Sequence, residues 1–316
     1  MNPAMSNTRI EILMAVHQPG LGFLEKQVQS IRDQSLSNWR LLIMLDGEHP
    51  ELMDVIHRWI SEDDRIRCEI LPGHSGCCRT FEAGLLRLKG NDSLVALADQ
   101  DDVWEPKKLE VLANAIRREP EAMMVFCDSS IIDANDREVS HSLFKTEHRV
   151  PEFSLVSLWA RNSISGHAQL FRSKLLDICT PFPEGLCASG LNHDHWLAMS
   201  AAHAGKIRFV DQALVRHRLH DSNHIGPRIS PQHSRPNGGL SAWQHHNRRL
   251  RFALESRHRF LHSLPGFGHP PLSLPRLLAC ALLASLRRNL PAAGVFLRAS
   301  LARPAHPAMA QGRSIP

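Results

Sequence analysis

Between Ile10 and Cys127 the chain alternates short apolar runs with segments of helical period, and this alternation narrows the possible folds more than any other feature. Ile10–Val16 ends at His17-Gln18-Pro19-Gly20, Trp39–Leu45 at Asp46-Gly47, Ile66–Leu71 at Pro72-Gly73, and Leu94–Ala98 at Asp99. Each run has the length and turn punctuation of a buried strand. Phe23–Gln34, Leu52–Ile60, Thr80–Leu88 and a segment opened by Pro106 and running to about Arg118 carry apolar residues at helical spacing, and Met123–Cys127 reads as a fifth strand. Strand and helix repeated in this way build an open α/β sheet with right-handed crossovers. Ligands of such sheets sit beyond the carboxyl ends of the strands. The residues of interest are therefore His17, Asp46, Gly73–Arg79 and Asp99–Asp102. No G-x-G-x-x-G follows the first strand and no P-loop occurs anywhere, which disfavours a dinucleotide fold or a P-loop nucleotidase.

The pattern loosens between Pro151 and Val215, where Leu155–Trp159, Ala168–Phe171 and Trp196–Ala204 are apolar patches and Ile207–Val210 and Ala213–Val215 read as two short strands. After His224 the composition changes. Gly226-Pro227, Pro231, Pro236 and Gly238-Gly239 mark a linker, Ser241–Leu264 a basic helix, and Leu272–Leu301 an Ala/Leu-rich stretch punctuated by arginines. From Pro227 to Pro316 there are 13 Arg, no Lys and one acid, Glu255, a local charge of +12, whereas the first 226 residues carry −7 within a whole-chain net of +5. Residues 1–226 and 227–316 are thus expected to be separate domains, a mildly acidic body and a basic, mainly helical extension. The longest uncharged piece of that extension, Leu277–Leu286, is too short to span a bilayer, and Met1–Ile10 lacks an apolar signal core. The seven Cys form no C-x-x-C pair and show no zinc spacing, as expected of reduced thiols in the cytoplasm.

Asp99-Gln100-Asp101-Asp102 sets three carboxylates at one strand end. Their mutual repulsion and desolvation call for a counter-charge, and the usual one is a hard divalent cation, Mg2+ or Mn2+, completed by substrate phosphates and water. The segment continues Val103-Trp104-Glu105-Pro106-Lys107-Lys108-Leu109. The whole resembles the D-Q-D-D-x-W-x-P-x-K-L block of family 2 glycosyltransferases, above all the bacterial rhamnosyltransferase-like branch. Gln27-x-x-Ser30-Ile31-x-x-Gln34-Ser35, Ser165-Gly166-His167-Ala168, His193-Asp194-His195-Trp196 and Val215-Arg216-His217-Arg218-Leu219-His220 carry the resemblance across about residues 10–226.

The resemblance implies a GT-A fold: an open mixed sheet flanked by helices, with a nucleotide-binding half and an acceptor half around one metal. It implies an inverting sugar transfer from a nucleoside-diphosphate sugar to a hydroxyl of a glycan or lipid-linked glycan. Carried over by position, Asp194 would be the catalytic base. His17, Asp46, Arg79, Asp99 and Asp102 would meet the donor, Asp101 and His220 the metal, and Gly166, His193 and Trp196 the acceptor. Three departures touch donor recognition: Leu45 replaces the first of two acids before Gly47, Thr80 replaces an Asn after Arg79, and His217 replaces a Tyr.

Two other readings of the cluster stand beside this one. An aspartate-nucleophile phosphatase shares a D-x-D-x-[TV] string but carries it on its first strand, and an inactive sugar-nucleotide-binding module would keep the fold alone. Asp194 could equally be a helix N-cap, Arg79 a solvated helix start and His220 a loop histidine. For the basic extension, an anionic membrane surface at the inner face of the cell membrane fits an Arg- and Leu-rich helix pair, and a helical cap on the body is the alternative. Nucleic acid is not expected, because the extension has few aromatics to stack on bases.

Overall fold

The computed structural model describes residues 8–186, 189, 191–220, 251, 254–258, 274–286 and 290–300. The linker expected after His224 and most of the basic helix expected over Ser241–Leu264 lie outside the described residues. Four parallel strands form at the expected places: β1 (Ile10–Val16), β2 (Trp39–Leu45), β3 (Ile66–Ile70) and β4 (Leu94–Ala98), side by side in the order β3-β2-β1-β4. Helices α1 (Leu21–Arg32), α2 (Pro50–Glu62) and α3 (Cys77–Leu88) cross between them. All seven β2 residues except Arg40, and all five of β4, are buried, as strands covered on both faces must be. At Gly84, in α3, a Cβ would stand 2.8 Å from Leu13 Cδ2 and 3.0 Å from Met44 Cγ, so glycine lets this helix lie close on β1 and β2.

Beyond β4 the chain forms β5 (Val103–Trp104), α4 (Lys108–Arg118), β6 (Ala122–Ile132), β7 (Glu138–Ser140), α5 (Leu143–Thr146), α6 (Leu155–Ala160), β8 (Gln169–Arg172), α7 (Leu176–Cys179), α8 (His193–Ala204) and β9 (Lys206–Arg218). The sheet reads β3-β2-β1-β4-β8-β6-β9-β5 with β7 on β6, nine strands among the described residues. It is mixed: β8 is antiparallel to both β4 and β6, β9 is parallel to β6, and β5 is antiparallel to β9.

Three elements differ from expectation for local reasons. Helix α4 begins at Lys108, two residues after Pro106, which lies in the preceding turn and accepts a hydrogen bond from Ser35 N at 2.8 Å. The fifth run extends to eleven residues, because Asp128, Ser129 and Ser130 are buried along with the apolar ones. The two short runs near 207 and 213 form the single strand β9. Val210 pairs with Cys127 and Ala213 with Asp128, so Asp211 and Gln212 bulge out of the ladder and break the apolar pattern.

Helix α1 and the turn that follows it explain the Gln27-Ser30-Gln34 pattern. Ser30 Oγ accepts from Trp104 N at 3.0 Å, Gln34 Oε1 accepts from Leu109 N at 3.0 Å, and Gln34 Nε2 donates to Glu105 O at 2.9 Å. Buried polar groups on an otherwise apolar helix face thus hold the segment that follows the acidic cluster.

The chain divides into two compact units: 1–147 with 164–182 and 192–226, and 148–163 with 183–191 and 227–316. Two segments expected in the first domain, 148–163 and 183–191, therefore group with the extension. Within the second unit, α9 (Leu274–Leu286) and α10 (Leu290–Ser300) are the apolar helices expected over Leu272–Leu301. Trp159 of α6 meets Phe296 at 5.4 Å between ring centroids. Arg257 Nη1 donates to Trp159 O at 3.0 Å and Ala160 O at 3.2 Å, satisfying carbonyls at the end of α6. Leu278, Leu282, Leu283 and Leu297 are exposed on α9 and α10. No helix among the described residues is long and apolar enough to cross a membrane.

Candidate functional site

The four residues after β4 divide among several partners. Gln100 pairs twice with the backbone of His17, accepting from its N–H at 2.9 Å and donating to its carbonyl at 3.1 Å, which locks the ends of β1 and β4 together. Asp102 is fully buried. Its Oδ1 accepts from His217 Nδ1 and from Arg218 N, both at 3.0 Å, and its Oδ2 lies 3.2 Å from His167 Nδ1. Burial alone would raise the Asp102 pKa, but the His217 and His167 charges and these hydrogen bonds overcome it and hold the carboxyl well below the usual carboxylate range. The same pair acts in reverse on His217: burial opposes its charge, Asp102 outweighs burial, and the imidazole is pushed up to about 9.

Asp99 and Asp101 face the other way. The Asp99 side chain is 38% exposed, and its Oδ2 lies 3.2 Å from His167 Nδ1, so one imidazole nitrogen stands between two carboxylates. His167 Nε2 meets Ser129 Oγ at 2.9 Å, and its ring stacks on His217 at 4.8 Å. Asp101 Oδ2 lies 2.8 Å from His220 Nε2. Burial, reinforced by Asp102 and Asp99, pushes the Asp101 carboxyl up to about 6 despite His220. A carboxylate crowded by two others, with one imidazole alongside, fits a divalent cation that takes its other ligands from a diphosphate and water. Arg218 frames this corner: it is fully buried, donates from Nε to Asp101 O at 2.8 Å, pairs with Asp136 Oδ1 at 2.6 Å and covers the Phe23 ring at 4.5 Å. Behind it, Lys108 Nζ is buried 3.2 Å over the Trp104 ring and donates to His167 O at 2.6 Å, and desolvation lowers its pKa to about 7.

A second group lies beyond β1 and β2. Asp46 is buried and accepts from Ser75 N at 2.6 Å and Gly76 N at 2.9 Å, with His74 Nδ1 2.8 Å from Oδ2. Burial resists ionisation here, but the two amides and His74 prevail and lower its pKa. His17 Nδ1 lies 3.3 Å from Asp46 O, and the His17 and His74 rings stack at 4.2 Å. Arg79 stands in the first turn of α3, its side chain 47% exposed and Nη1 paired with Glu82.

At a third place, Asp194 stands in the first turn of α8, and its Oδ1 accepts from His195 N at 2.7 Å. A Cβ on Gly166 would meet Asp194 Cβ and His193 Nε2, each at 3.3 Å, so the turn Gly166–Ala168 lies directly against this pair. His193 stacks on Phe81 at 4.0 Å, and burial lowers its pKa. Trp196 is buried and donates from Nε1 to Cys179 O at 3.0 Å, packing into the core of α7 and α8.

Of the sequence candidates, Asp99, Asp101, Asp102 and His220 therefore meet at one corner, His17 and Asp46 at a second, and Gly166, His193 and Asp194 at a third. Sequence reasoning did not single out His167 or the role of His217, while His74 and Gln100 fell within the marked strand-end segments Gly73–Arg79 and Asp99–Asp102 without a role of their own. His167 and His217 stand inside blocks that carried the resemblance, so position in a motif was the available signal.

A model of glycosyl transferase family 2 matches residues 12–178, about half of the 316-residue chain. An uncharacterized glycosyltransferase of Nostoc sp. is 26% identical over 207 residues, which are 64% of this chain and 62% of that protein. TuaG of Bacillus subtilis, whose name assigns it to teichuronic acid biosynthesis, is 32% identical over 88 residues, 28% of this chain and 34% of that one. The chain spans between 18% and 62% of the length of the curated relatives it matches. Among solved structures, the mannosyltransferase PcManGT from Pyrobaculum calidifontis, in complex with GDP-Man and Mn2+, aligns with a TM-score of 0.54 and 16% identity, covering 96% of this chain and 78% of that one. S. aureus TarS in complex with UDP-GlcNAc aligns with a TM-score of 0.56 and 15% identity, covering 92% and 81%. At such identities the likeness concerns the fold, which is the GT-A type that the sequence resemblance implied.

The Asp102–His217 pair makes stability depend on pH in a defined direction. The raised pKa of His217 means that its contribution is complete below the ordinary histidine value and fades as the pH climbs through about 9. His217→Gln should cost about 3 kcal/mol near pH 6, the scale for breaking a buried pair. The gap from wild type in urea unfolding should narrow steadily towards pH 10. A gap that stays constant or widens over that interval would mean that His217 is neutral in the folded protein.

Proposed function

The chain belongs to glycosyl transferase family 2, and on that premise we propose that it moves a sugar, with inversion, from a nucleoside-diphosphate donor to a hydroxyl of a glycan or lipid-linked glycan in cell-surface polysaccharide synthesis. The observation that carries this reading is the turn Gly166–Ala168. Its first residue lies so near Asp194 that a Cβ there would stand 3.3 Å from Asp194 Cβ, and its second, His167, reaches Asp99, so this turn links the candidate base to the acidic cluster. Inverting transfer needs this proximity, because the attacking hydroxyl must lose a proton on the face of the sugar opposite the leaving diphosphate.

In this reading Asp194 accepts the acceptor's proton, and Gly166 leaves room for the acceptor beside it. His193 and Trp196 support that side: His193 backs the turn, and Trp196 anchors α8 through Cys179. Asp99 faces the donor sugar, and His17, Asp46 and Arg79 line the nucleotide side. Asp101 and His220 would hold Mg2+ or Mn2+, which when bound would neutralise charge on the departing diphosphate. Asp102, buried and held at Oδ1 by His217 and Arg218, serves the donor indirectly, as the anchored neighbour of Asp101. The rhamnosyltransferase-like block makes a deoxyhexose donor such as a nucleoside-diphosphate rhamnose the first to try. The phosphatase reading loses its footing in the family match, and Asp99 follows the fourth strand in chain order rather than the first.

Exposed Leu278, Leu282 and Leu283 in α9, together with the Arg-rich composition of residues 227–316, favour peripheral contact with an anionic membrane at the inner face, where a lipid-linked acceptor would be met. The full chain should then float with vesicles rich in anionic lipid, and Leu278→Glu with Leu282→Glu should abolish flotation. Flotation unchanged by that pair would remove α9 from the contact.

Asp194→Asn should lower release of nucleoside diphosphate in the presence of acceptor by about 10³-fold, within the range of a lost general base, while calorimetric donor binding stays as in wild type. Turnover within a few-fold of wild type would remove Asp194 from the role of base. Donor binding by the wild type with no transfer to any acceptor would favour the inactive binding module.

A further inference from the structure

Lys108, the first residue of α4, has no exposed surface. Among the described residues its partners are the face of the Trp104 ring, 3.2 Å from Nζ, and the carbonyl of His167 at 2.6 Å. Neither is a carboxylate. A buried amine whose charge no acid balances is costly, and a methionine would fill much the same space without that cost. Burial opposes the charge strongly enough to bring the Lys108 pKa down to about 7. A residue that works against stability in this way is expected where a fold supports its chemistry.

We propose that Lys108 is a positioning residue whose Nζ holds the turn Gly166–Ala168 in the place that lets Asp99 and Asp194 act on one sugar. The inference rests on the glycosyltransferase reading. The root of the lysine is fixed from α1: Ser30 Oγ accepts from Trp104 N, and Gln34 bonds Glu105 O and Leu109 N. Its tip grips main chain between the turn's two functional contacts. On one side, a Cβ on Gly166 would stand 3.3 Å from Asp194 Cβ; on the other, the His167 ring reaches Asp99 at 3.2 Å. Two groups of β6 also touch the turn, Ser129 Oγ at 2.9 Å from His167 Nε2 and Cys127 Sγ at 3.7 Å from Ala168 O. The Lys108 contact is the shortest of the three, and it fixes a carbonyl rather than a ring. A turn released at His167 would leave the donor groups beyond β1 and β2 in place while Asp99 and Asp194 lost their common support. Misplacement of reacting groups costs rate more than binding.

The test compares the full chain with Lys108→Met and, as a control for lost charge, with Lys107→Met at the neighbouring exposed position. Release of nucleoside diphosphate is followed from UDP-, GDP- and dTDP-linked sugars with Mn2+, with water or p-nitrophenyl glycosides as acceptor. Hydrogen exchange of residues 164–170 reads the hold on the turn directly. Lys108→Met should melt within about 5 °C of wild type and exchange faster over 164–170. Its kcat should fall at least about tenfold, with the donor KM within about twofold. Lys107→Met should match wild type in all three. Unchanged exchange or unchanged kcat in Lys108→Met would overturn the proposal, as would a raised KM at constant kcat. Failure of Lys108→Met to fold would make the lysine a stability residue and overturn it equally. A wild type that releases diphosphate from no donor would instead overturn the reading on which the proposal rests.

Discussion

A single buried carboxylate organises the chemistry-bearing half of this protein. Asp102 has no exposed surface; its Oδ1 accepts from the ring of His217 and the backbone of Arg218, and its Oδ2 lies 3.2 Å from the ring of His167. Those partners come from the end of β9 and from the turn before β8, so one side chain ties the carboxyl end of β4 to two distant stretches of chain. A bare carboxylate there would be costly; with two imidazoles around it, it becomes a fixed anion. The positions of its neighbours follow. Asp101, the residue before it, faces His220. Asp99 shares His167 with Asp102 and keeps an exposed face. A string of three acids, which in isolation would repel one another, is thus divided among an internal clamp, a candidate cation ligand and a candidate donor contact.

The clamp also depends on α1. Ser30 and Gln34 bond the backbone of Trp104, Glu105 and Leu109, and Arg218 lies across Phe23 while holding Asp101 O. The acidic cluster is therefore gripped from the helix side and from the strand side at once. Catalytic groups that must meet a diphosphate gain from such support, because a rigid frame removes the cost of arranging charges at the moment of reaction.

Much of this was legible before any coordinates. β1, β2 and β4 occupy the residues that the apolar runs marked, since buried parallel strands write themselves as continuous apolar text. β9 did not, because Asp211 and Gln212 bulge from its middle and mimic a loop. Helix α4 begins two residues after the proline that marks its start in the sequence, because Pro106 is as comfortable in a turn as at a helix start. At the site, the acidic string, Asp194 and His220 were readable from their motif, but the division of labour inside the string was not. Whether a carboxylate faces a pocket or a pair of histidines depends on which strand end lies opposite, and the pairing of β5 with β9 is a long-range fact with no local trace. The strand-end rule marks His17, Asp46 and the segment Gly73–Arg79 one by one, but the contact of His74 with the other two is a long-range fact: they are 29 and 28 residues apart and meet because β1, β2 and the loop after β3 end side by side.

The central claim is that the Asp99–Asp102 corner and Asp194 together serve sugar transfer from an activated nucleotide. The most direct measurement is release of nucleoside diphosphate by the purified full chain across a panel of nucleoside-diphosphate sugars, each with and without Mn2+ or Mg2+. The account predicts release from at least one donor, dependent on the added cation and lost in Asp101→Asn. Release that persists without any divalent cation and survives that substitution would contradict it.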